Sequence, residues 1–599
     1  MHVLATAGHV DHGKSTLVRA LTGMEPDRWA EERRRGMTID LGFAWTSLPT
    51  GETVAFVDVP GHERFVGNML AGVGSVPAVL FVVAADEGWE AQSGEHLDAL
   101  NALGVGHGLL VITRVDLEEP DTALELAMGE FAGTSLADLP WVAVSARTGT
   151  GLDELRVALH ALLSELPEPD TGADVRLWVD RAFTIRGAGT VVTGTLSGGT
   201  LSIGDTLTLH PSGASVTVRG LQSLGQAQGT VEATARVAVN LRGVALDEVS
   251  RGDALVSPER WLTTRVVDVA IRPMGGPLPS EAAMHIGSAG VPVRTRMLGQ
   301  SNARLTLAAP LPLRIGDVAV LRDPGRRRIA AGITILDIRP PSLSRRGDAE
   351  RRRSALAQQD GRPDGAAELR RRGILAVPEL VAMGAVPPHA PLVGDWLVDE
   401  QLRKDLAFRA DTVARAYVLS HPLEPGIPLE MMRRQLTLPD NRLLMAILPP
   451  TLVVDQGRVR AAEDSTELPE DVQGAVDVIR AELADDPFAA PSGVRLAELG
   501  LDRRRLAAAV RSGALLKIAE GIFLLPGADA GAAERLAALA QPFTASDART
   551  TLGTTRRVII PLLEWLEQHR FTRRTSGGDH EIVDSGFTFS APTWPGTDE

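Results

Sequence analysis

The residues with the clearest chemical potential lie near the N-terminus, in the stretch GHVDHGKST. Four of them fit the phosphate-loop spacing G-x-x-x-x-G-K-[ST], namely Gly8, Gly13, Lys14 and Ser15. Glycines let backbone N–H groups wrap an anion, and the N-terminus of a following helix adds a favourable dipole. Lys14 is one of only three lysines among 61 basic residues, and a compact ammonium fits between phosphates where the wider arginine fork does not. The stretch therefore predicts a phosphate-binding loop, and the alternative is a chance match in a glycine-rich chain.

Oxygen-bearing side chains at two later positions could complete a metal site beside this loop. Asp58 ends the apolar run VAFVD, and Thr38 lies in the polar segment RRRGMTID. A threonine in such a segment can close over a metal ion when a terminal phosphate is present. Gly61 follows in PGHE, where its N–H can sense that phosphate. We predict Ser15, Thr38 and Asp58 as Mg2+ ligands.

Further strands are needed to bring these side chains to one edge of a sheet. The runs VLFVVAADEG, GLLVITRVD and WVAVSARTGTG predict buried strands, and polar residues end the last two. The candidate ligand-binding residues at these strand ends are Thr113, Arg114 and Asp116 for one strand, and Ser145 and Ala146 for the other. Strands that alternate with helical stretches imply a doubly wound parallel sheet with its ligand at the carboxyl ends. We therefore predict an α/β nucleotide-binding domain.

In this order, the motifs resemble those of the translational GTPases, whose loop reads like GHVDHGKST. The resemblance implies GTP and Mg2+ as ligands, with Asp116 accepting hydrogen bonds from the guanine ring N–H and amino group. His62 stands where these GTPases orient the attacking water, which makes it the candidate catalytic residue. Thr113 and Arg114 replace the usual Asn-Lys pair, so we expect the asparagine contact to be lost while the Arg114 stem covers the base.

The resemblance also implies the full extent of the GTP site. It comprises Gly8, Asp11, His12, Gly13, Lys14, Ser15, Thr16, Asp58, Gly61, Thr113, Arg114, Asp116, Ser145 and Ala146.

The middle of the chain changes from helical to strand patterning after a proline-rich acidic linker, Leu166 to Val175. β-Branched residues then alternate with glycine-rich turns, which predicts barrels. A GTPase domain followed by two barrels resembles elongation factor Tu, most specifically at DRAFTIRGAGTVVTGTL and RGDAL. The resemblance implies that the first barrel receives the aminoacyl end of a tRNA.

Three charged residues of the first barrel fall where the selenocysteine-specific elongation factors (the SelB family) build an amino-acid pocket: Asp180, Arg181 and Arg236. A selenol is far more acidic than a thiol, whose reference pKa is about 8.5, so selenocysteine is largely an anion at neutral pH. An arginine pair would recognise that anion, and we expect Asp180 to hold Arg181 in place. The alternative is a surface ion pair between Asp180 and Arg181 on a barrel strand.

The chain continues well beyond Pro340, where an elongation factor Tu would end. An arginine-rich segment, Ser342 to Gly373, is expected to be a solvated hinge, with phosphate contact as the alternative. A loose repeat of helix, turn, helix and hairpin then predicts tandem winged-helix modules. With this tail, the resemblance to bacterial members of the SelB family covers the whole chain. The expected domains are 1–167 (GTPase), 174–258 and 259–340 (barrels), and 341–402, 403–465, 466–526 and 527–599 (winged helices).

The last module concentrates its positive charge at one edge. Thr554 or Thr555 is expected to cap its second helix, which places Arg556 and Arg557 in the first turn. Arg573 and Arg574 lie at the predicted wing. Focused charge on an acidic module suits a compact RNA hairpin better than a long duplex. In the family this module binds the mRNA hairpin (SECIS) that recodes UGA; the alternative is a structural or protein-binding winged helix.

The amino-acid composition limits the kinds of site and the classes of protein that remain possible. The 599 residues contain no cysteine, which excludes disulfides and thiolate metal sites, and the net charge of −15 argues against a uniformly basic nucleic-acid binder. No run approaches the roughly 18 to 20 apolar residues of a membrane span, and we expect a cytoplasmic monomer without membrane contact. The resemblance implies selenocysteinyl-tRNA, the mRNA hairpin and the ribosome as partners. Two alternatives are a general aminoacyl-tRNA elongation factor and a GTP-regulated winged-helix DNA-binding protein without a tRNA substrate.

Overall fold

A computed structural model describes residues 1–26, 38, 40–62, 65–74, 76–462 and 468–583 of the chain. The chain divides into two units, Met1–Ala390 and Pro391–Glu599. Among the described residues, no helix is both long and apolar enough to cross a membrane.

The first unit begins with a six-stranded sheet. Its strands β1 to β6 are His2–Ala7, Gly42–Ser47, Thr53–Asp58, Ala78–Ala84, His107–Thr113 and Trp141–Ala143. The spatial order is β2-β3-β1-β4-β5-β6, with every neighbouring pair parallel except β2 and β3. All seven residues of β4 are buried, as expected for a strand with helices on both faces of its sheet. The predicted doubly wound sheet is confirmed.

Helices cover both faces of this sheet. Helices α1 to α5 are Lys14–Thr22, Val66–Val73, Ala91–Leu103, Asp121–Phe131 and Leu152–Glu165. They bury two separate apolar clusters, one on each face. Because β3 and β4 both flank β1, the chain direction across the sheet reverses at β1, and the crevice that opens there is where such folds bind ligands.

The first barrel is built from short strands of β-branched residues and glycine turns. Strands β7 to β16 are Arg176–Trp178, Arg181–Ile185, Gly189–Leu196, Thr200–Ser202, Thr206–His210, Ala214–Ser223, Gln226–Gln228, Thr230–Glu232, Ala235–Arg242 and Ala254–Val256. Eight of them form one antiparallel sheet in which β9 pairs with both β8 and β15. In this register Arg181 lies opposite Thr193 and Arg236 lies opposite Thr195. Residues two apart on a strand share a face, so both arginines come to the same side of the sheet.

The second barrel is closed and rests against the GTPase domain. Its strands β17 to β22 are Leu262–Pro273, Glu281–Ile286, Ala289–Met297, Asn302–Leu313, Val318–Asp323 and Arg328–Asp337. At the contact with α3, a Cβ on Gly332 would lie 2.2 Å from the carbonyl oxygen of Ala102, so only glycine allows this approach. Arg272 donates to the carbonyl of Asn101 at 2.8 Å beside it.

Three short helices and a strand follow the second barrel within the first unit. Helices α6 to α8 are Asp348–Leu356, Gly365–Arg372 and Val377–Ala382, and β23 is Ile374–Ala376. The unit boundary at Ala390 falls inside the predicted module 341–402.

The arginine-rich segment of α6 and α7 is solvated on one side, as the sequence predicts, but it is fixed to the second barrel on the other. Arg352 is 5% exposed and donates to the barrel carboxylates of Asp268 and Asp337, at 2.6 Å each. Arg372 donates to the other oxygen of Asp337 at 2.7 Å, and Arg304 binds both oxygens of Asp268. Two buried carboxylates thus fix the segment to the second barrel, while Arg351 and Arg353 on α6 stay exposed.

The second unit repeats a pair of helices followed by a two-stranded hairpin. Its helices α9 to α17 are Glu400–Ser420, Leu429–Gln435, Asn441–Ile447, Glu470–Asp485, Gly493–Glu498, Arg503–Arg511, Ala528–Ala537, Ala545–Thr551 and Arg556–Gln568. Its strands β24 to β31 are Trp396–Val398, Ile427–Pro428, Leu452–Asp455, Arg458–Ala461, Leu516–Ala519, Ile522–Leu524, Thr572–Arg574 and His580–Ile582. The hairpins β26–β27, β28–β29 and β30–β31 follow successive helix pairs, which confirms the predicted winged-helix type.

The last two modules share one apolar core. A single cluster of buried residues extends from Val472 on α12 to Leu566 on α17. Phe488, between α12 and α13, is 1% exposed in it, and its carbonyl accepts the Thr554 hydroxyl at 2.5 Å. The two modules therefore pack around one core rather than two separate ones.

Candidate functional site

The loop after β1 has the backbone of a phosphate cradle. Gly8 has φ +123°, and a Cβ there would lie 2.1 Å from the carbonyl oxygen of Val82. Gly13 has φ +83° and immediately precedes α1. Both positions require glycine, and α1 directs its first N–H groups toward the crevice at the carboxyl end of the sheet.

Lys14 lies buried inside this loop. Its Nζ donates to the carbonyls of Gly8 at 2.9 Å and His9 at 2.5 Å. Burial lowers the pKa of Lys14 to about 8, and the carboxylates of Asp58 and Asp11 oppose that shift. An incoming phosphate would offer the ammonium a new anionic partner, so the loop holds a cation ready for an anion.

An oxygen cluster lies beside the loop. The Ser15 hydroxyl donates to Asp58 Oδ2 at 2.6 Å and lies 3.0 Å from the Thr38 hydroxyl. The second oxygen of Asp58 accepts from Thr6 at 2.7 Å, and burial raises the pKa of this carboxyl. Hydroxyl and carboxylate oxygens are the donors that Mg2+ takes, so the set Ser15, Thr38 and Asp58 fits that ion chemically. The three predicted metal ligands are brought together.

A cavity of about 820 Å3 opens above these groups. Its described lining comprises Val10, Asp11, Gly13, Lys14, Ser15, Thr16, Arg19, Glu25, Thr38, Gly61, Thr113, Arg114, Asp116, Leu117, Ala146 and Arg147. Most of the predicted GTP-site residues are in that set. The other four do not line the cavity but hydrogen-bond to residues that do: Gly8, His12, Asp58 and Ser145.

Asp116 is held by two donors at the far end of the cavity. Its Oδ1 accepts from the Ser145 hydroxyl at 2.6 Å, and its Oδ2 accepts from Arg147. The Ser145 hydrogen bond, with help from Arg147, lowers the pKa of Asp116 and keeps it an acceptor. A fixed carboxylate acceptor suits a ring that offers two adjacent donors.

The Thr-Arg pair before Asp116 makes contacts of its own with the loop. Thr113 donates its hydroxyl to the carbonyl of His12 at 2.7 Å. Threonine thus contacts the loop directly, and the expected loss of the asparagine contact stays a prediction. Arg114 has φ +59° and donates to the carbonyl of Asp11 and to the carboxylates of Asp86 and Glu87. Its guanidinium is thus anchored on one wall of the cavity.

The segment after β3 approaches the loop closely. A Cβ on Gly61 would lie 2.6 Å from the backbone of Val10 and 2.7 Å from Lys14 Nζ, so only glycine fits there. His62 follows it, with its ring centroid 6.0 Å from that of Phe65. The His62 side chain is not among the described residues that line the cavity.

Two residues of α3 that the sequence did not predict accept hydrogen bonds from the backbone of the phosphate loop. His96 on α3 accepts the Gly8 N–H at Nδ1 over 3.0 Å, and Gln92 lies one turn earlier, 3.4 Å from the N–H of Val10. Burial lowers the pKa of His96 to about 3 and that of His12 to about 4, so both rings are neutral. Gln92 and His96 are four residues apart, which places them on one face of a helix. This spacing is the sequence feature that could have identified them.

Arg181 and Arg236 converge on an aromatic ring between the first barrel and the GTPase sheet. The ring centroid of Phe43 on β2 lies 3.9 Å from Arg236 Cζ and 5.4 Å from Arg181 Cζ. All three line a cavity of about 180 Å3. Arginine stacks well on aromatic faces, so Phe43 orients two cations toward one small space.

The pairing of these arginines differs from the prediction. Asp180 binds Arg236 through both of its oxygens and also accepts from the Thr193 hydroxyl. Arg181 lies with its Nε 2.9 Å from Asp40 and donates to the carbonyl of Leu41. Successive side chains of an extended segment diverge, so Asp180 does not hold its neighbour Arg181.

The four arginines predicted for RNA contact have different surroundings. Thr555 occupies the N-cap of α17 without a side-chain capping bond. Arg557 donates to the carbonyls of Ala490 and Pro491, at 2.6 and 3.1 Å, which ties the last module to the preceding one. Both Arg556 and Arg557 are exposed, but only Arg557 has hydrogen-bond partners among the described residues.

The wing arginines remain at the surface. Arg573 pairs with Glu581 across the β30–β31 hairpin and is 72% exposed. Arg574 donates to the carbonyl of Gly578 at 3.3 Å. All four arginines are therefore at the surface, and Arg557 differs from the other three in its hydrogen bonds to the preceding module.

Comparison with known proteins assigns three parts of the chain. Residues 1–165 match the elongation factor Tu GTP binding domain, residues 189–256 match elongation factor Tu domain 2, and residues 534–580 match the winged helix of elongation factor SelB. Together with the phosphate loop and the two barrels, these matches define a translational GTPase.

Relatives that align with nearly the whole chain define the family within the translational GTPases. The selenocysteine-specific elongation factor of Desulfomicrobium baculatum is 33% identical over 96% of this chain and 98% of its own, and that of Escherichia coli K12 is 32% identical over 97% and 99%. The crystal structure of a bacterial selenocysteine-specific elongation factor superposes with a TM-score of 0.75 at 25% identity, over 97% of this chain and all of that one. The chain belongs to the family of selenocysteine-specific elongation factors, which confirms the resemblance seen in the sequence.

Proposed function

We propose that this GTPase carries selenocysteinyl-tRNA to the ribosome at UGA codons marked by an mRNA hairpin. The observation that carries the proposal is the convergence of Arg181 and Arg236 on Phe43 in one small cavity. A selenolate would place its charge between two guanidinium groups, whereas the neutral serine hydroxyl would bring no charge to that space. The site would therefore select its amino acid by charge rather than by size.

The GTP cycle would use the cavity beside the loop. Lys14 and the α1 N-terminus would bind the phosphates, and Asp116 would accept the guanine donors. Ser15, Thr38 and Asp58 would hold Mg2+, which supplies positive charge beside the phosphates when bound. The elongation factor SelB of Methanococcus maripaludis was crystallised with a GTP analogue. Its structure superposes on this chain with a TM-score of 0.50 at 26% identity, over 57% of this chain and 79% of its own.

Hydrolysis on the ribosome would depend on His62. It follows Gly61, whose backbone lies against Lys14, so a modest movement of this segment would bring the imidazole toward the terminal phosphate. The ring would then orient the attacking water. Loss of the terminal phosphate would release the segment around Thr38 and with it the tRNA.

The mRNA hairpin would bind at the exposed edge of the last module, through Arg556, Arg573 and Arg574. Arginine can pair with phosphate or a guanine edge and can stack on an unpaired base, so a looped hairpin offers it several partners. Arg557 would contribute by holding α17 against the preceding module.

The test is competition between selenocysteinyl-tRNA and seryl-tRNA on the same tRNA body, with GTP present. Wild type should prefer selenocysteinyl-tRNA, and Arg181→Ala with Arg236→Ala should remove most of that preference. Arg242→Ala is the matched control, because Arg242 is exposed on β15, the strand that carries Arg236. Equal affinity of wild type for both tRNAs would instead indicate a general elongation factor, and binding of duplex DNA without tRNA would indicate a DNA-binding protein.

A further inference from the structure

The carboxylate of Asp116 has one buried donor and one exposed donor. The hydroxyl of Ser145, which is fully buried, donates to Oδ1 at 2.6 Å. Arg147 donates to Oδ2 with a side chain that is 73% exposed, while that of Asp116 is 13% exposed. Arg147 also lines the nucleotide cavity, whereas Ser145 is not among the described lining residues. The exposed donor therefore reaches the carboxylate from within the space that a nucleotide would fill.

Arg147 offers Asp116 the same kind of donor as guanine does. A guanidinium is planar and carries adjacent N–H donors, and guanine presents an amino group next to its ring N–H. Both groups suit the two oxygens of one carboxylate. In the part of the chain that the structure describes, Asp116 is the one hydrogen-bond and ion-pair partner of the Arg147 side chain. In the empty cavity, Arg147 thus takes an oxygen that the base would use.

The turn that carries Arg147 is fixed, so only the side chain has to move. The Gly149 N–H donates to the carbonyl of Ser145 at 2.9 Å, and the Ser145 N–H donates to the carbonyl of Thr150 at 2.9 Å. These two bonds close the turn after β6. Because the Arg147 side chain is 73% exposed, it can leave Asp116 without opening a packed core.

We infer that Arg147 is an intramolecular competitor of guanine for the carboxylate of Asp116. The inference rests on the proposed role of Asp116 as the guanine acceptor. The base displaces Arg147 as it binds, and Arg147 takes the carboxylate back as the base leaves. The apparent affinity is then the intrinsic affinity multiplied by the fraction of empty molecules whose acceptor is free. Since exposed ion pairs are weak, we expect that competition to lower the affinity by about two- to fivefold.

Equilibrium titration of the full-length protein with fluorescent GTP and fluorescent GDP measures this effect. Arg147→Ala should tighten both nucleotides by the same factor, about two- to fivefold, because they share the base and differ in their phosphates. The gain over wild type should shrink as salt is raised, because salt screens the exposed ion pair that wild type has to break. Arg147→Lys keeps the charge and can still pair with Asp116, so its gain should be smaller.

Arg19→Ala is the matched control for the loss of a positive charge. Arg19 lines the same cavity and is 55% exposed, but it pairs with Glu25 at 3.1 Å rather than with Asp116. Its removal takes a cation away from an anionic ligand and frees no acceptor for guanine, so it should not tighten either nucleotide. Equal tightening by Arg19→Ala and Arg147→Ala would show a general effect of charge and would overturn the competition.

A double-mutant cycle decides whether Arg147 acts through Asp116. In an Asp116→Ala background, Arg147→Ala should bring no further gain, because the carboxylate that both groups share is already gone. If Asp116→Ala binds GTP and GDP as tightly as wild type, the proposed guanine site fails. If Asp116→Ala weakens both nucleotides but Arg147→Ala leaves the affinity unchanged or lowers it, the competition by Arg147 is wrong and the proposed guanine site stands.

Discussion

Asp180 binds Arg236 on the neighbouring strand β15 through both carboxylate oxygens, although Arg181 is its neighbour in sequence. Asp180 is 7% exposed and also accepts from the hydroxyl of Thr193 on β9. One carboxylate thus joins the segment before β8 to two strands of the barrel. The Cζ atom of Arg236 lies 3.9 Å from the centre of the Phe43 ring, so Asp180 and Phe43 hold the guanidinium on two sides.

Replacing Asp180 should therefore act on Arg236. Asp180→Ala removes one partner of a part-buried charge pair, a change that typically costs about 2–5 kcal/mol. We expect selenocysteinyl-tRNA to lose at least tenfold in affinity, and seryl-tRNA to lose less. Asp180→Asn keeps the acceptor for Thr193 and should show a smaller loss. Equal losses for the two tRNAs would mean that the carboxylate supports the barrel alone.

Nucleotide binding should consume protons at mildly alkaline pH. Burial lowers the pKa of Lys14 to about 8, so above that pH a growing fraction of the empty protein carries a neutral amine. A bound phosphate favours the ammonium and raises this pKa again, so GTP affinity should fall as pH rises above 8. Calorimetry at pH 8.5 in two buffers of different ionisation enthalpy should reveal proton uptake on binding. In Lys14→Arg the new side chain is too large for the buried site, so this variant should lose most of its nucleotide affinity. If wild type takes up no protons on binding GTP, the pKa of Lys14 is not lowered in the empty protein.

The contact between His96 and Gly8 should matter for both stability and pH response. His96→Ala leaves the Gly8 N–H without its acceptor, which typically costs about 1–3 kcal/mol of unfolding free energy. In wild type the folded pKa of His96 is lowered to about 3, whereas the unfolded state titrates near 6.5. The unfolded state therefore binds more protons between these values, and stability falls as pH drops below 6.5.

Denaturant titrations at pH 7, 6 and 5 test this directly. The stability of His96→Ala should vary less with pH over this range than that of wild type, although it is lower at pH 7. His107→Ala, at an exposed position on β5, is the control. An unchanged pH slope in His96→Ala would show that His96 is not the titrating group.

The sequence predicted the parts of the fold and site that depend on local pattern. The loop glycines, Lys14 and the oxygen ligands follow from spacing and strand order, because parallel strands bring their carboxyl ends to one edge. Contacts between distant segments were not predictable in the same way. The pairing of Arg181 with Asp40 depends on how a barrel docks on the GTPase sheet, and the burial of Arg352 depends on two barrel carboxylates that no local pattern marks.

His62 should be needed for hydrolysis and not for binding. His62→Ala should keep its affinity for GTP, because the imidazole does not line the nucleotide cavity. Its ribosome-stimulated hydrolysis should fall by at least about 100-fold, the lower end of what a group that positions or deprotonates water contributes. His62→Gln should retain part of the rate, since an amide can also orient water. Single-turnover hydrolysis with and without ribosomes measures the effect, and near-normal stimulation of His62→Ala would remove His62 from the mechanism.

Arg556 and Arg557 should separate RNA binding from module packing. Arg556 is exposed and has no hydrogen-bond or ion-pair partner in the part of the chain that the structure describes, so its guanidinium is available to a ligand. Arg557 donates to three carbonyls of the preceding module, those of Ala490, Pro491 and Gly521, and is engaged by them. The two neighbours should therefore give opposite results in a paired assay of hairpin affinity and thermal stability.

Arg556→Ala in the full-length protein should weaken binding of a labelled mRNA hairpin by about 1–3 kcal/mol and make binding less dependent on salt, without lowering stability. Arg557→Ala should lower the stability of the shared core, because it removes charge-assisted hydrogen bonds worth roughly 1.5–3 kcal/mol each. Its hairpin affinity, measured well below the unfolding temperature, should change less than that of Arg556→Ala. Arg504→Ala, at an exposed arginine of α14, is the matched control for loss of surface charge in the same body. If Arg556→Ala binds the hairpin as tightly as wild type with the same salt dependence, recognition must reside in the wing, and Arg573→Ala with Arg574→Ala should then abolish it.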